Sequence, residues 1–379
     1  MYGDQGQFNS LFVMLYGGVA IMAFLSCIYF IFSRSNIIQP SIKPPRRLRL
    51  WAAAFLAAVF ASHVWWLVIG SVWLTDDRFV RIITLIALDN LTLPPLFMAM
   101  MLRLLQDRRR PLWPVFVAAA PTAVFAVIGI TTRQPIYEWV MEGYTLTTGI
   151  IFCIYMIVAV KHYGRWLRDN FADLEHKEIW QSLLAPLLMV LTFCAYAYHE
   201  GQLYREYLTQ IASCFIIFFI IWRVETLQTL EVTEAGETDN DTTKPEAETN
   251  MTNNKNAYQE ISDLLREHCE QKQLYLQHNL TLQQLATAIG TNRTYLSAYL
   301  NERNESYNNY INRLRVEHFA KLYHKANANG HSATAKELAI ASGFHSYRTF
   351  SVAFKFFMGM PVRQWIRKIN EERYINESR

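Results

Sequence analysis

Charged residues are scarce in this chain. Asp, Glu, Lys and Arg make up 18% of its 379 residues, whereas 52% are hydrophobic and 14% are aromatic. An average soluble domain has about 25% charged residues. The composition excludes an intrinsically disordered chain, and the low content of glycine and proline, 15 and 12 residues, excludes a collagen-like one.

Cysteine is also rare, and no two cysteines form a C-x-x-C pair. Four of the five lie inside apolar runs, where small buried thiols are common. A small disulfide scaffold is therefore excluded, and neither a disulfide nor a metal site is predicted. The five are Cys27, Cys153, Cys194, Cys214 and Cys269.

Signatures of enzymes are missing as well. The chain has no Walker A loop, no G-x-S-x-G, no H-E-x-x-H, no protein-kinase motif set and no G-x-G-x-x-G. We therefore predict no enzymatic activity, no catalytic residues and no cofactor. The chain also lacks a histidine-phosphorylation module and a receiver-like α/β unit. This favours a one-component protein, in which sensing and the response share one chain.

Seven apolar runs occupy the first 224 residues. A membrane-spanning helix needs about 20 mostly apolar residues, so the pattern predicts a seven-helix transmembrane bundle at residues 1–224. The first run is too long for a secretory signal and has no basic segment before it, so we expect it to remain as an anchor. The runs are Leu11–Phe32, Leu50–Leu74, Ile82–Leu105, Pro114–Ile130, Tyr144–Val160, Gln181–His199 and Tyr207–Trp222.

Lys and Arg are unevenly divided between the loops of this bundle. The loops after the first, third and fifth runs hold 12 of them, and the opposite set holds four. Because basic loops stay in the cytoplasm, the N-terminus is predicted outside the cell. An odd number of spans then places the C-terminus in the cytoplasm.

The composition changes abruptly at residues 225–256. Residues 225–254 carry eight acidic residues and one basic residue, and large apolar side chains are almost absent. Such a segment cannot bury enough surface to offset the entropy lost on ordering. We predict an acidic disordered linker, which is also a candidate for an inhibitory contact with the basic tail.

The tail, residues 257–379, has helical periodicity and no strand pattern, so the whole chain is predicted to be all-α. TLQQLATAIGTNRTYLSAYL (281–300) combines a capping box, a turn glycine and a cap for a second helix. TAKELAIASGFHSYRTFSVAFKFF (334–357) repeats this pattern. The sequence thus predicts two helix-turn-helix motifs, at about 275–304 and 333–359, joined by one long helix.

Two such motifs with this connector resemble the AraC/XylS family of bacterial transcription regulators. The resemblance covers about the last 110 residues and rests on LTLQQLATAIGTNRTYLSAYLNE, YINRLRVEHFAKL and ELAIASGFHSYRTFSVAFK. The seven-helix domain joined to this tail is similar to membrane-embedded regulators of the family. The resemblance implies binding of double-stranded DNA and a multi-pass protein of the bacterial inner (cell) membrane.

The resemblance also implies which residues contact DNA. Base-facing positions fall on Thr294, Ser297 and Ala298, with Asn292 and Arg293 at the rim, and then on Tyr347, Arg348, Ser351 and Val352. Arginine is the commonest reader of guanine, so Arg348 is the strongest candidate. Phosphate contacts are expected from Arg293, Arg313, Arg315 and Lys355. A solvated face without DNA contact is an equal alternative for Arg313 and Arg315.

Polar residues inside the predicted spans mark a candidate sensor pocket. They are His63 in the second run and Asp89 and Asn90 in the third, and ionisable residues in spans are usually functional. The alternative, which we favour, is an internal His63–Asp89 pair that only fixes helix packing. Pro94-Pro95 is expected to break the third helix.

Together these features predict a membrane-embedded, one-component transcription regulator. A cytoplasmic AraC-type domain would bind DNA in a sequence-specific way, controlled by the membrane domain. Expected partners are double-stranded DNA, the lipid bilayer and an unknown extracytoplasmic or membrane signal, while monomer and homodimer stay open. The alternative is a transporter or membrane enzyme with a regulatory or docking helix-turn-helix tail, although no inverted repeat supports transport.

Overall fold

The computed structural model consists of α-helices and their connections. Its described part contains no β-strand, and an isolated antiparallel bridge joins Phe171 and Thr281. The predicted all-α fold is therefore confirmed. The structure describes residues 10–33, 36–40, 42–70, 76–197, 203–230, 251–328 and 333–377.

The chain divides into two compact units. The first comprises residues 1–164 and 176–231, and the second comprises residues 165–175 and 232–379. The sequence did not predict that residues 165–175, which comprise the end of an apolar helix and the five residues after it, would pack with the tail.

Seven helices form the described part of the first unit, and the fifth continues into the second unit. α2 packs against α1, α3 and α7, while α6 packs against α7. The helices are α1 (Ser10–Phe32), α2 (Arg46–Val68), α3 (Arg78–Leu104), α4 (Trp113–Thr132), α5 (Ile136–Asn170), α6 (Leu184–Ala197) and α7 (Leu203–Thr226).

Six of these helices, all except α6, are long and apolar enough to cross a membrane. α6 has 14 residues, and the end predicted for this span, residues 198–199, lies outside the described residues. The seventh span therefore stays a prediction. Apolar side chains point outward from the long helices, with Phe32 at 75% and Phe215 at 66% exposed, which is typical of surfaces in contact with lipid.

The tandem proline does not break α3. This helix runs from Arg78 to Leu104 and includes both Pro94 and Pro95, so the expected break was wrong. Prolines are tolerated inside spans when neighbouring groups satisfy the freed carbonyls. The helix therefore carries Asn90 and the prolines as one continuous element.

A buried carboxylate fixes the end of α7. Glu225 has no exposed surface, and its carboxylate accepts a hydrogen bond from the Tyr29 hydroxyl at 2.9 Å. The Arg49 guanidinium lies 3.6 Å from the same carboxylate, and the Asn36 amide donates to the Glu225 carbonyl oxygen at 2.7 Å. The ends of α1, α2 and α7 are thus joined through one side chain.

The predicted linker is ordered at both of its ends. Residues 225–230 pack in the first unit, where Leu227 has no exposed surface, and residues 251–256 begin a helix. The part between them, residues 231–250, lies outside the described residues. The disordered linker and its proposed inhibitory contact therefore stay predictions.

The second unit contains the two predicted helix-turn-helix motifs, α9–α10 and α12–α13, joined by α11. A π-helical turn, Leu265–Gln271, follows α8. Its helices are α8 (Met251–Leu264), α9 (Leu282–Ile289), α10 (Arg293–Glu302), α11 (Tyr307–Ala328), α12 (Ala335–Ala341), α13 (Tyr347–Met358) and α14 (Val362–Glu377).

Side-chain caps begin all four helices of the motifs. They pair backbone N–H groups that have no partner in the first turn of a helix. The predicted capping boxes and caps are confirmed, and they determine where each helix starts. Thr281 and Gln284 form the capping box of α9, Thr334 and Glu337 form that of α12, Asn292 caps α10, and Ser346 caps α13.

Two hydrophobic cores fill the second unit, and α11 belongs to both. Tyr307 and Ile311 pack with α8–α10 in the first core. Val316 and Phe319 pack with α12–α14 in the second. With its 22 residues, α11 is about 33 Å long, long enough to belong to both cores.

Gly343 brings the second motif against the chain that precedes the first. Its φ of +89° lies in the left-handed region, which glycine adopts without strain. A Cβ at this position would lie 2.8 Å from Leu276 Cα and 2.9 Å from the Leu276 carbonyl oxygen. The His278 ring adds a contact, with Nδ1 3.1 Å from the Gly343 carbonyl oxygen.

Gly343→Ala is expected to lower the free energy of unfolding of the second unit by about 3 kcal/mol or more, because alanine is strained at positive φ and its Cβ meets backbone atoms. Gly290→Ala is the matched control. Gly290 has φ +79° but no neighbour within 4 Å of its Cβ position, so only about 1–2 kcal/mol of strain is expected. Pulse proteolysis of the full chain measures both, and equal losses would contradict the steric argument.

Candidate nucleic-acid interface

The outer face of α10 carries the positions predicted to contact bases in the first motif. Thr294 and Ala298 are exposed and Ser297 is half-buried, whereas Leu296 and Tyr299 are buried in the first core. Residues four apart share one face of a helix, so Thr294 and Ala298 lie side by side. Their small side chains allow close approach to base edges.

The two rim residues lie at the start of α10. Asn292 is exposed, and its side-chain oxygen accepts the N–H of Tyr295 at 2.8 Å. Arg293, the first helical residue, is half-buried. The Asn292 oxygen is therefore engaged in the cap, while its amide N–H groups are donors of the kind that bind phosphate.

The second motif presents a longer outer face on α13. Arg348, Val352 and Phe356 follow one another at four-residue spacing and are all exposed, the last two at 69% each. Phe356 was missed by sequence reasoning, although the same spacing could have found it. An arginine beside exposed apolar side chains suits a base edge next to a thymine methyl group.

The remaining predicted residues of α13 differ in exposure. Lys355 is exposed and Ser351 is half-buried. Tyr347 is also half-buried, because its ring packs 5.7 Å from the Phe350 ring at the edge of the second core. Tyr347 therefore has a packing role beside any contact with DNA.

Arg315 is buried in the centre of the second unit, so both roles expected for it were wrong. Its side chain is among the largest with almost no exposed surface, 1%. Nε donates to the Tyr275 carbonyl oxygen at 2.8 Å and Nη2 to that of Gln277 at 2.6 Å, while the guanidinium lies 5.7 Å from the centre of the Phe344 ring. Burial lowers the pKa of Arg315 to about 10, so it is still charged at neutral pH.

Arg313, two residues before Arg315, lies at the surface between two carboxylates. Its Nε is 3.1 Å from Glu305 Oε1 and its Nη1 is 3.4 Å from Glu317 Oε1. The phosphate contact expected of Arg313 stays a prediction. To bind a phosphate, Arg313 must first release the Glu305 and Glu317 carboxylates.

The buried thiol of the second unit is chemically inert. Cys269 has no exposed surface, and burial raises the pKa of its thiol to about 12. A protonated thiol is neither a good nucleophile nor a metal ligand. Within the described residues, no three His, Cys, Asp or Glu side chains form a group that could hold a metal ion.

In the first unit, Asp89 is held by three donors from α2. Its Oδ1 accepts from the Ser62 hydroxyl at 2.7 Å and from the Trp65 indole at 3.0 Å, and its Oδ2 accepts from the Trp66 indole at 2.6 Å. Both carboxylate oxygens are therefore satisfied by one neighbouring helix. This arrangement ties α2 to α3.

His63 takes different partners from Asp89. Its Nδ1 lies 2.8 Å from the Val59 carbonyl oxygen, and its Nε2 lies 3.1 Å from Oε1 of Gln210 on α7. The Tyr16 ring of α1 packs 4.6 Å from the imidazole. The structure therefore places His63 between α1, α2 and α7, whereas Asp89 lies between α2 and α3.

Asn90 lines a cavity between α3, α4 and α5. This small cavity is also lined by Pro94, Tyr144 and Thr145. Asn90 is 6% exposed, and its Nδ2 has no hydrogen-bond partner among the described residues. Leaving a buried amide unpaired is unfavourable, so this cavity suits a small polar group. Among the described residues, Asn90 lines this cavity, while the hydrogen-bond partners of the Asp89 carboxylate lie on α2 and those of the His63 ring on α2 and α7. A pocket shared by all three residues stays a prediction.

The second unit contains contacts that sequence reasoning missed. Asn308 and Asn312 of α11 donate to the Ala172 carbonyl oxygen, and Thr349 of α13 donates to the Glu175 carboxylate. Even the pair with the smallest separation in sequence, Asn308 and Ala172, is 136 residues apart. No local sequence pattern signals such pairs.

Comparison with known proteins identifies the two motifs. A family model described as a helix-turn-helix domain matches residues 285–368, which contain α10 to α13. The match supports a DNA-binding regulator of the AraC type rather than an enzyme. No curated protein and no solved structure matches this chain.

Arg315→Met is expected to lower the free energy of unfolding of the second unit by about 3 kcal/mol, because two buried carbonyl groups lose charged donors. Arg313→Met removes the same charge from the surface, where ion pairs contribute at most about 1 kcal/mol. Pulse proteolysis of the full chain compares the two variants. Similar losses for both would show that the buried hydrogen bonds are not needed.

Asp89→Leu is expected to lower the free energy of unfolding of the first unit by about 3 kcal/mol, because three donors, one buried and two half-buried, lose their acceptor. Thr92→Val, one turn further along α3, is the control, since the Thr92 hydroxyl donates within its own helix to the Leu88 carbonyl oxygen. Thermal unfolding in detergent measures the difference. Unchanged stability of Asp89→Leu would contradict a packing role.

Proposed function

We infer that this protein is a membrane-embedded transcription regulator whose tandem helix-turn-helix domain binds a specific DNA sequence. The observation that carries this proposal is the pair of motifs mounted on one helix. α10 shares the first core with α11, and α13 packs against α11, so one helix joins both motifs. Two motifs held by one rigid helix suit two readers in successive major grooves.

Specificity is assigned to a small number of exposed side chains. Arg348 is proposed to read guanine, and Thr294, Ser297, Ala298, Ser351 and Val352 to contact neighbouring base edges. We propose that Asn292, Arg293 and Lys355 bind phosphates of the DNA backbone and so position the domain. The capped N-termini of α10 and α13 are proposed to do the same. Tyr347 is proposed to contact DNA with the part of its ring that the second core leaves exposed.

The first unit is proposed to be the sensor, inserted in the bacterial inner membrane with the DNA-binding domain in the cytoplasm. Of the three candidate pocket residues, Asn90 lines the cavity between α3, α4 and α5, and its Nδ2 has no hydrogen-bond partner among the described residues. We assign the signal to this cavity. His63 and Asp89 then serve the packing of the surrounding helices.

The buried Glu225 supports a role for α7 in transmitting the signal. Its carboxylate joins Tyr29 of α1 and Arg49 of α2 to the end of α7, and α7 precedes the segment that leads to the tail. Buried ion pairs are sensitive to displacement, because losing one partner leaves the other charge uncompensated. Movement of these helices would therefore act on the start of the linker.

The test is selection of bound fragments from a genomic library by the full chain in nanodiscs, at several salt concentrations. Recovery of one motif with two half-sites about one helical turn apart supports the proposal. Binding without sequence preference that disappears at moderate salt indicates phosphate contact alone and contradicts it.

Arg348→Ala is expected to weaken binding to the selected motif by about 1–3 kcal/mol and to relax preference at one base position, because a bidentate contact to guanine is lost. Adding Thr294→Ala should weaken binding further through the first motif. Lys321→Ala, an exposed lysine on α11, controls for loss of charge. Affinity and base preference are measured by titration of labelled duplexes, and unchanged preference in Arg348→Ala would remove it as a reader.

A further inference from the structure

Residues Phe171–Glu175, which we call the docking segment, follow α5 directly and pack within the second unit. Ala172 has no exposed surface and is part of the first core of the tail. Phe171 forms an antiparallel bridge with Thr281, the N-cap residue of α9. The segment therefore packs as a part of the DNA-binding domain. It does so although 75 residues separate Glu175 from Met251, where α8 begins.

Two asparagines of α11 hold the backbone of this segment. Asn308 Nδ2 lies 3.2 Å from the Phe171 carbonyl oxygen and 2.7 Å from that of Ala172. Asn312, which is 5% exposed, donates to the Ala172 carbonyl oxygen at 3.3 Å. Because these bonds go to carbonyl groups, they recognise the path of the backbone.

The acidic side chains of the segment face cationic and polar groups of the tail. Asp173 is 5% exposed, and its Oδ1 accepts the N–H of Glu175 at 3.0 Å. Its charge acts on the buried Arg315 and favours the cationic form, against the larger opposing effect of burial on the pKa of Arg315. The hydrogen bond between the Asp173 side chain and the Glu175 N–H therefore stabilises a turn of the chain just before Glu175.

Glu175 reaches the N-terminus of the second reader helix. Its Oε2 accepts a hydrogen bond from the Thr349 hydroxyl at 3.1 Å, in the first turn of α13. Thr349 is also the residue whose N–H donates to the cap, Ser346. A helix N-terminus carries a partial positive charge that favours an anion, and DNA phosphates are anions that bind such sites.

We propose that the docking segment is an internal competitor of DNA. Its Glu175 carboxylate occupies the first turn of α13, where a DNA phosphate would bind, and DNA binding requires the segment to leave. This inference rests on the proposed function and specifies its regulation. Because α5 ends at Asn170, one residue before the segment, a signal that moves α5 changes the docking equilibrium.

The test measures DNA affinity of the full chain in nanodiscs, using the duplex selected above. Glu175→Gln removes the charge but keeps the shape, and is expected to tighten binding roughly two- to fivefold, the effect of one charge at a helix end. Glu178→Gln is the matched control, since it removes an exposed carboxylate three residues further on. An equal gain from Glu178→Gln would show a general charge effect and overturn the proposal.

Asn308→Ala provides a second variant that leaves the charges unchanged. It removes two hydrogen bonds to the segment, and it is expected to raise both the DNA affinity and the rate of hydrogen exchange at residues 171–175. Hydrogen exchange of the wild-type chain is then compared with and without DNA. Faster exchange at residues 171–175 in the DNA complex supports the proposal, whereas equal protection in both states overturns it.

These measurements separate the two proposals. Specific binding by the wild-type chain that is unchanged in Glu175→Gln and Asn308→Ala overturns the internal competitor and leaves the DNA-binding function intact. If neither the wild-type chain nor a variant with a released segment, shown by its exchange, selects any DNA sequence, the proposed function fails and the competitor with it.

Discussion

The arrangement of the DNA-binding tail depends on the buried guanidinium of Arg315. It lies on α11 between the two cores, donates to two carbonyl groups of the chain before the first motif, and covers a phenylalanine of the second motif. A charged group is rarely buried unless its donors are satisfied. Arg315 makes these contacts together only when the two motifs lie in the relative position seen here. Burying its charge therefore favours this arrangement of the motifs over others.

Gly343 acts at the same junction by steric rather than electrostatic means. The backbone of its turn approaches Leu276 so closely that a Cβ does not fit, and this brings the loop before α9 against the second motif. Arg315 donates to Tyr275 and Gln277 of that loop, and Gly343 approaches Leu276 between them. The two reader helices are therefore positioned by a shared loop as well as by α11, which explains how short helices of 10 and 12 residues can present their outer faces reproducibly.

The features that sequence predicted well are those set by near neighbours. Capping boxes, caps, turn glycines and the period of the apolar residues act within a few positions, and they placed α9, α10, α12 and α13 correctly. Arg315 was misassigned because helical spacing gives the face of a residue but not what covers it. Glu225 was assigned to the linker because its partners Tyr29 and Arg49 lie in other helices, and the docking segment has no local signal. Pro94 and Pro95 were expected to end a helix because the satisfaction of freed carbonyls depends on tertiary neighbours.

The strength of the docking contact suits a regulated equilibrium. Four hydrogen bonds join the segment to Asn308, Asn312 and Thr349, and each contributes about 0.5–1.5 kcal/mol. The segment and the tail belong to one chain, so their contact is intramolecular and need not be strong to be occupied. A signal that strains it by about 1.4 kcal/mol changes the ratio of docked to released forms tenfold. A contact of this strength is therefore sensitive to small changes in the position of α5.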